Sequence, residues 1–171
     1  MGMGVSGWRL ASRVAQAGAL GVVSGTGIDL TLTRVLQQGD PGGSLRRGLA
    51  AFPFQDVAQR ILDKYFIEGG IPDDQPFRST ATIGHRQSRF LQQLIVAANF
   101  IEVYLARQGH DGVIGINYLE KLQTPTLPQL YGAMLAGVDV VLMGAGIPRE
   151  IPGVLDRLAQ NKAVELPISV V

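Results

Sequence analysis

Apolar side chains recur every three or four residues in seven segments of the chain, which is the spacing of one face of a helix. The longest segment carries Leu91, Leu94, Ile95, Ala98, Ile101 and Leu105 at this spacing. The helices predicted from the pattern span residues 8–17, 30–38, 44–51, 55–66, 90–107, 127–136 and 152–160. Polar residues precede three of them and are predicted to cap their first turns, namely Ser6, Asp29 and Thr126.

Four apolar runs are too short for buried helices and predict β-strands at residues 19–24, 113–118, 138–143 and 163–171. The last run contains Pro167, which weakens it as a strand. From residue 113 onward, strands and helices alternate, so we expect the strands to pair in parallel through helical crossovers. The predicted fold class is therefore α/β, built from parallel β/α units. Doubly wound sheets and (β/α)8 barrels share this pattern.

The first two predicted strands are separated by far more residues than one β/α unit needs. Residues 40–89 are therefore interpreted as a helical and loop insertion within a single domain, residues 1–171. The stretch 68–86 lacks periodicity and is predicted to be a loop, either an ordered connector or a lid. A Gly-rich turn and a helix precede the first strand, so this β/α unit lacks its opening strand. Four strands are fewer than the eight that a closed barrel needs, so the chain is expected to be a fragment of a larger α/β fold.

Composition and charge narrow the class of protein. The chain is 46% hydrophobic and contains 22 glycines in 171 residues, which suits buried parallel strands between covering helices. A net charge of +1 gives no electrostatic footprint for nucleic acid or an anionic membrane. The absence of cysteine excludes disulfides, thiolate metal sites and cysteine nucleophiles. With no signal peptide and no apolar run of about 18 residues, a cytoplasmic protein is expected.

In parallel α/β folds, ligands bind beyond the carboxyl ends of the strands. The loops at these ends are predicted to be residues 2–6, 24–27, 117–120 and 144–148, and three of the four are rich in glycine. Glycine lets a flat ring or a phosphate come close to the backbone, although it also simply makes turns. Asn117 ends an apolar strand, and its amide can either bond a heterocycle or cap the strand–loop junction. Glu120 and Lys121 are expected to face solvent.

A dinucleotide site is a weaker alternative. Gly2, Gly4 and Gly7 match the fingerprint G-x-G-x-x-G, with Asp29 near the position that would hold a ribose. That fingerprint requires a strand before its first glycine, and only Met1 is there. A helix cap explains Asp29 more simply.

The two histidines give no catalytic signal. His85 falls in the long loop, and His110 falls in the turn before a strand, at the end of the sheet opposite the predicted ligand side. His110 is therefore expected to be structural. The sequence shows no spacing typical of metal ligands and no motif that identifies a nucleophile or a general base.

Five segments form a recognisable set: GVSGWRLA at 4–11, AGALGVVSG at 17–25, GIN at 115–117, LYGAMLAGVD at 130–139 and GAGIP at 144–148. Together they resemble the nitronate monooxygenase family, formerly called 2-nitropropane dioxygenases. The similarity covers residues 1–39 and 90–160, and the insertion at 40–89 resembles that of a longer subgroup of the family.

The resemblance implies that the chain is the truncated amino-terminal half of a (β/α)8, or TIM, barrel. It also implies an FMN-dependent enzyme that oxidises alkyl nitronates with O2. Asn117 matches the family's FMN-binding asparagine, and the turn at residues 2–4 matches the segment whose backbone touches the flavin. The family often has Pro-Met in this turn, where the present chain has Gly2-Met3. The implied cofactor-binding residues are Asn117, Gly2, Met3, Gly4, Gly144 and Gly146. The family's catalytic histidine and phosphate-binding loops come from the second half of the barrel, so they are expected beyond Val171, and the chain alone is expected to be inactive.

Two other functions stay open. A flavin-dependent enoyl reductase of fatty-acid or polyketide synthesis belongs to the same superfamily. A half-barrel can also be a non-catalytic protein that associates with another chain through its open sheet edges. The expected partners are a small-molecule substrate, either a nitronate or an enoyl compound, and a second copy in a homo-oligomer. Neither nucleic acid nor a membrane is expected.

Overall fold

The computed structural model describes residues 2–80, 83–84 and 87–168. In chain order the elements are α1 (Trp8–Gln16), β1 (Gly21–Ser24), α2 (Ile28–Gln37), α3 (Ser44–Ala51), α4 (Gln55–Tyr65), α5 (Arg89–Arg107), β2 (Ile114–Leu119), α6 (Thr126–Leu135), β3 (Val140–Gly144) and α7 (Ile151–Ala159). Every predicted helix is present, and no helix end differs from its predicted position by more than two residues.

The three strands form one parallel sheet in the order β1-β2-β3. β1 pairs with β2 from Gly21 opposite Ile114 to Ser24 opposite Asn117. β2 pairs with β3 in the same direction. The parallel pairing confirms the predicted α/β class built from β/α units. Among the described residues, the outer edges of β1 and β3 pair with no further strand.

One face of the sheet packs against helices. Every second residue of β2 points to this face, namely Ile114, Ile116 and Tyr118. These side chains are at most 1% exposed and form a core with side chains of α1, α5, α6 and α7. The opposite face carries apolar side chains that stay partly in water. Leu20 and Leu119, which belong to this face, are 41% and 40% exposed.

Residues 40–88 add α3 and α4, which pack against α2 and α5. Each of these four helices contributes a side chain that is at most 1% exposed to one shared core, namely Leu36, Leu49, Ile61 and Ile101. The region predicted as an insertion therefore shares its core with α2 and α5.

The segment after α4 is held against α2 by polar side chains. The buried Gln37 amide donates to the carbonyls of Thr33 and Arg78 and accepts the Arg78 N–H. The hydroxyls of Thr33 and Thr80 lie 2.8 Å apart. Up to residue 80, the long predicted loop is thus an ordered connector, one of the two predicted alternatives.

The strand predicted at 163–171 is absent from residues 163–168, which are irregular, and residues 169–171 lie outside the described part of the chain. The Arg157 guanidinium donates two hydrogen bonds to the Ala163 carbonyl oxygen, from Nε at 2.9 Å and from a terminal nitrogen at 2.6 Å. Val164 and Leu166 pack against the helical core. Since Pro167 also lacks an N–H for a sheet ladder, these apolar residues are partly buried against the helices and do not pair with β3.

The predicted Ser6 cap of α1 is wrong. Gly7 occupies the capping position and contributes no side chain. The first helical N–H, on Trp8, donates instead to Glu102 Oε2 of α5 at 2.9 Å. A long-range carboxyl therefore replaces the local cap that the sequence predicts.

The other two predicted caps are also displaced. α2 begins after Gly27, whose left-handed φ of 70° suits glycine, and Asp29 lies buried in the first turn. α6 begins at Thr126 itself, whose hydroxyl donates to the Leu122 carbonyl at 3.1 Å.

Candidate functional site

The carboxyl ends of the three strands and the loops beside them form one edge of the sheet, here named the rim. Three backbone hydrogen bonds of 2.8 Å join the parts of the rim. The N–H groups of Ser24, Gly25 and Glu120 donate to the carbonyls of Ser6, Asn117 and Gly144, respectively. The amino-terminal turn thus lies against the end of β1, as the sequence predicts. All four loops with predicted ligand contacts meet at the rim.

Asn117 occupies the middle strand, opposite Ser24 of β1 and Leu142 of β3. Its neighbours Ile116 and Tyr118 face the helices, so strand alternation directs Asn117 to the opposite, partly open face. The residue is half-buried, and its side-chain amide makes no hydrogen bond to any residue that the structure describes. A half-buried amide without a protein partner can bind a ligand through both its donor and its acceptor.

Gly144, at the end of β3, borders the Asn117 amide. A Cβ atom built on Gly144 would lie 3.9 Å from Asn117 Nδ2 and 3.7 Å from the Tyr118 carbonyl oxygen. These are ordinary contact distances, so a side chain longer than methyl would begin to fill the space beside the amide. The structure therefore brings two of the predicted cofactor-binding residues together.

Gly146 contacts a different side chain. A Cβ atom built on it would lie 2.2 Å from a carboxylate oxygen of Glu120. Glu120, which was expected to face solvent, is half-buried over this glycine, whereas Lys121 is exposed. Ala145, between Gly144 and Gly146, has a φ of 63°. This left-handed conformation costs an L-residue about 1 kcal/mol. The sequence did not indicate this tight turn.

The turn at residues 2–4 forms a second group on the rim. It is closed by the N–H groups of Val5 and Ser6, which donate to the Gly2 carbonyl at 3.2 Å. The Met3 sulfur lies over Gly27, where a built Cβ atom would be 2.3 Å away. The turn therefore contacts the loop after β1, while Asn117 and Gly144 meet between β2 and β3.

A buried hydrogen-bond network lies beneath the rim. The Tyr118 hydroxyl is 2.8 Å from Asn99 Oδ1 and 3.0 Å from the Gln129 carbonyl oxygen. Gln129 Nε2 donates to the Gly25 carbonyl at 3.4 Å. Burial raises the pKa of the Tyr118 hydroxyl well above its ordinary value, so it stays a donor. The network ties β2, α5 and α6 to the loop after β1, and the sequence could not reveal it because its members are far apart along the chain.

Two buried carboxyl groups lie close to the amino-terminal turn and the start of α2. Burial raises the pKa of Glu102, while the Trp8 N–H and the Arg9 charge lower it less. Burial also raises the pKa of Asp29, against the lowering effect of the backbone N–H groups of Asp29 and Leu30. Asp29 is only 6% exposed. A carboxylate that holds a ribose must be reachable, so this burial counts against the dinucleotide alternative.

His110 lies away from the rim and holds the turn before β2. Its Nδ1 accepts the Gly112 N–H at 3.0 Å, so the ring proton is on Nε2, 2.7 Å from the Ala106 carbonyl and 3.2 Å from Ser12 Oγ. This tautomer cannot take a proton from Ser12, which supports a structural role. His85 lies outside the described residues. The described residues contain no group of three or more potential metal ligands.

A cleft of about 260 Å³ opens beside the rim, between the first turns of α6 and α7. Its charged walls are Glu120, Arg149 and Glu150, and Asn117 is not part of it. Mixed charges of this kind do not favour an anion such as a phosphate. The Asn117 site is therefore the open sheet face above β2 and β3 and not this cleft.

The chain matches no protein-family model, no curated protein and no solved structure. Its resemblance to nitronate monooxygenases therefore stays a prediction. Within the described ranges, no helix combines the length and the apolar character needed to cross a membrane.

Proposed function

We propose that the chain forms the amino-terminal half of an FMN-dependent (β/α)8 barrel, an oxidoreductase that acts on small molecules such as alkyl nitronates. The observation that carries this proposal is the half-buried Asn117 amide at the carboxyl end of the middle strand, which has no hydrogen-bond partner among the described residues and has the Gly144 backbone beside it. An amide of this kind can both donate to and accept from the edge of a flavin ring.

The arrangement of the sheet supports a barrel over a doubly wound fold. In a doubly wound sheet, helices cover both faces. Here α1, α5, α6 and α7 share a core with one face, and Leu20 and Leu119 remain about 40% exposed on the other. In a barrel the second face is the interior, which the remaining strands enclose.

The rim residues would hold the cofactor in complementary ways. Asn117 would bond the ring, and Gly144 would let it approach the backbone of β3. The turn at Gly2–Gly4 and the loop at Gly146 would border the same face of the rim. Bound FMN would supply the redox chemistry, taking electrons from the substrate and passing them to O2. By the resemblance, the catalytic group lies beyond Val171, so the 171-residue chain is proposed to bind without turnover.

The absorption spectrum of the proposed complete barrel protein, purified without added flavin, tests this proposal. The expected result is near-ultraviolet and blue flavin bands, with FMN released on denaturation. Asn117→Leu should lower FMN affinity about tenfold or more, because hydrogen bonds to the ring are lost in a partly desolvated site.

Gln75→Leu provides the control, since Gln75 is an exposed amide in the connector after α4 and should leave flavin content unchanged. A protein without flavin bands contradicts the proposal. So does a protein whose flavin content is equally insensitive to both substitutions.

A non-catalytic half-barrel is the second candidate function, and one observation favours it. Both outer strands lack a partner among the described residues, and the open face is apolar at Leu20 and Leu119. Unpaired edges and an exposed apolar face favour association with a second chain.

A further inference from the structure

An apolar cleft of about 590 Å³ lies among the helices, and none of its lining residues belongs to a strand. It is enclosed by the corner between α3 and α4, the first half of α5, the start of α6, the end of α7 and the segment after it. Its volume is typical of pockets that bind small molecules. None of the rim residues proposed to hold FMN belongs to it.

The walls of this cleft are apolar side chains that remain partly in water. Phe52 and Val57 form a buried floor. The half-exposed walls around this floor are Phe54, Val96, Leu127, Tyr131, Leu158 and Val164. Apolar groups from five separate segments converge here without filling the space between them, so an apolar chain would remove them from water.

Polarity changes along the α5 wall of the cleft. Arg89, Gln92 and Gln93 line it in the first helical turn, and Val96 follows one turn later. Residues three or four apart share a helix face, so one end of the cleft is polar and the continuation is apolar. From Arg89 to Val96 the helix rises by roughly 10 Å.

The charges at the polar end are unevenly matched. Arg60 pairs with Asp56 at 3.4 Å and also donates to Gln93 Oε1 at 3.0 Å. Arg89 makes no ion pair with any described residue. The charged lining residues are thus Asp56, whose carboxylate pairs with Arg60 outside the cleft, and Arg89, which has no ion-pair partner among the described residues.

From this geometry we infer that the cleft binds a single-chain amphiphile with an anionic head group, such as a medium-chain carboxylate. The alkyl chain lies along Val96, Leu127 and Tyr131, and the head group meets Arg89 and Gln92. Guanidinium and amide donors suit a carboxylate, and the apolar walls suit a flexible chain. The inference does not depend on flavin binding at the rim.

Calorimetric titration of the chain with octanoate, decanoate and decanol tests this assignment. Affinity should rise roughly three- to fourfold for each added methylene group, as the alkyl chain leaves water. Decanoate should bind several-fold more tightly than decanol. Arg89→Gln should weaken decanoate about three- to tenfold and leave decanol unchanged.

Two further variants complete the design. Val164→Asp places a charge in the apolar wall, on the segment after α7. It should abolish binding of octanoate, decanoate and decanol. The far-ultraviolet circular dichroism spectrum should be unchanged, because Val164 lies outside the helices. Arg13→Gln removes an exposed arginine of α1 that is not part of the cleft and should change nothing. The inference is overturned by the absence of saturable decanoate binding, by affinity that ignores chain length, or by equal effects of Arg89→Gln and Arg13→Gln.

Discussion

Single residues decide how the rim is anchored, and Glu102 is the clearest example. Its carboxyl accepts the first N–H of α1 at 2.9 Å and so fixes the helix that follows the amino-terminal turn. The residue is buried, and its pKa is raised by that burial. A neutral acceptor could do the same work without the cost of a desolvated charge.

Glu102→Gln should therefore keep α1 in place and be at least as stable as the parent at pH 7. Because the folded state raises the pKa above its ordinary value of 4.5, the contribution of this group is fully present below about pH 4.5. It is lost as the pH rises through the raised value. Urea unfolding between pH 5 and pH 8 should show a flatter pH dependence for Glu102→Gln.

Glu102→Leu is the matched comparison. It leaves the partly buried Trp8 N–H without an acceptor and should cost about 1–3 kcal/mol of unfolding free energy relative to Glu102→Gln at every pH. If Glu102→Gln destabilises as much as Glu102→Leu at pH 7, the carboxyl is needed as a charge, and our account of this residue is wrong.

At the scale of elements, the packing of helices depends on glycines at crossing points. Gly132 of α6 faces α5 so closely that a built Cβ atom would lie 2.2 Å from the Val96 carbonyl oxygen. Gly153 of α7 is also helical, but a Cβ atom there would meet nothing within 4 Å. The two positions separate a glycine required by packing from one that only weakens its helix.

Gly132→Ala should destabilise the chain by about 1–3 kcal/mol, because α5 and α6 must move apart. Gly153→Ala should stabilise it by roughly 0.5–1 kcal/mol, because alanine is the better helix former at an open position. Thermal and urea unfolding of the two variants would check both signs. A neutral Gly132→Ala would mean that the α5–α6 contact is looser than described.

The sequence predicted where each helix lies, but it did not predict which residues cap the helices or that the last predicted strand is absent from residues 163–168. The helical periodicity located every helix, because each buries one apolar face. The cap predicted at Ser6 was wrong, because the acceptor for α1 comes from Glu102, 94 residues from Trp8. The caps predicted at Asp29 and Thr126 were displaced, because Gly27 and Pro125 hold those positions. The final strand failed for a similar reason, since Arg157 binds the Ala163 carbonyl. Local patterns carry no information about such distant partners.

The candidate site was predictable to the same extent. The apolar run that predicted β2 and the carboxyl-end rule placed Asn117 on the rim, and Gly144 proved to lie beside it. The contacts of Met3 with Gly27 and of Glu120 with Gly146 depend on loop conformation, as does the left-handed Ala145. Tertiary packing determines these features, so a pattern of residue types could not show them.

For the whole molecule, the open sheet face is the main feature. One face buries the core with the helices, and the other presents Leu20 and Leu119 to water at about 40% exposure. In the proposed barrel this face is interior. In the isolated chain it is an apolar surface, flanked by two strand edges that pair with no further strand among the described residues.

The isolated chain should therefore self-associate, with a light-scattering mass that rises with concentration. Leu119→Asp should shift it towards the monomer, because a charge on the open face opposes burial. Leu122→Asp is the control, since Leu122 is 47% exposed but lies in the loop after β2. A monodisperse monomer at all concentrations would rule out the non-catalytic half-barrel.

The central claim is that the rim binds a flavin ring through Asn117, and nuclear magnetic resonance of the ¹⁵N-labelled chain tests it most directly. Titration with FMN should shift the Asn117 side-chain amide and the Gly144 backbone amide. Riboflavin should shift the same signals to a similar extent, because the proposed phosphate site lies outside this chain. The claim is contradicted if both signals stay still at millimolar flavin, or if the shifts occur only at residues away from the rim.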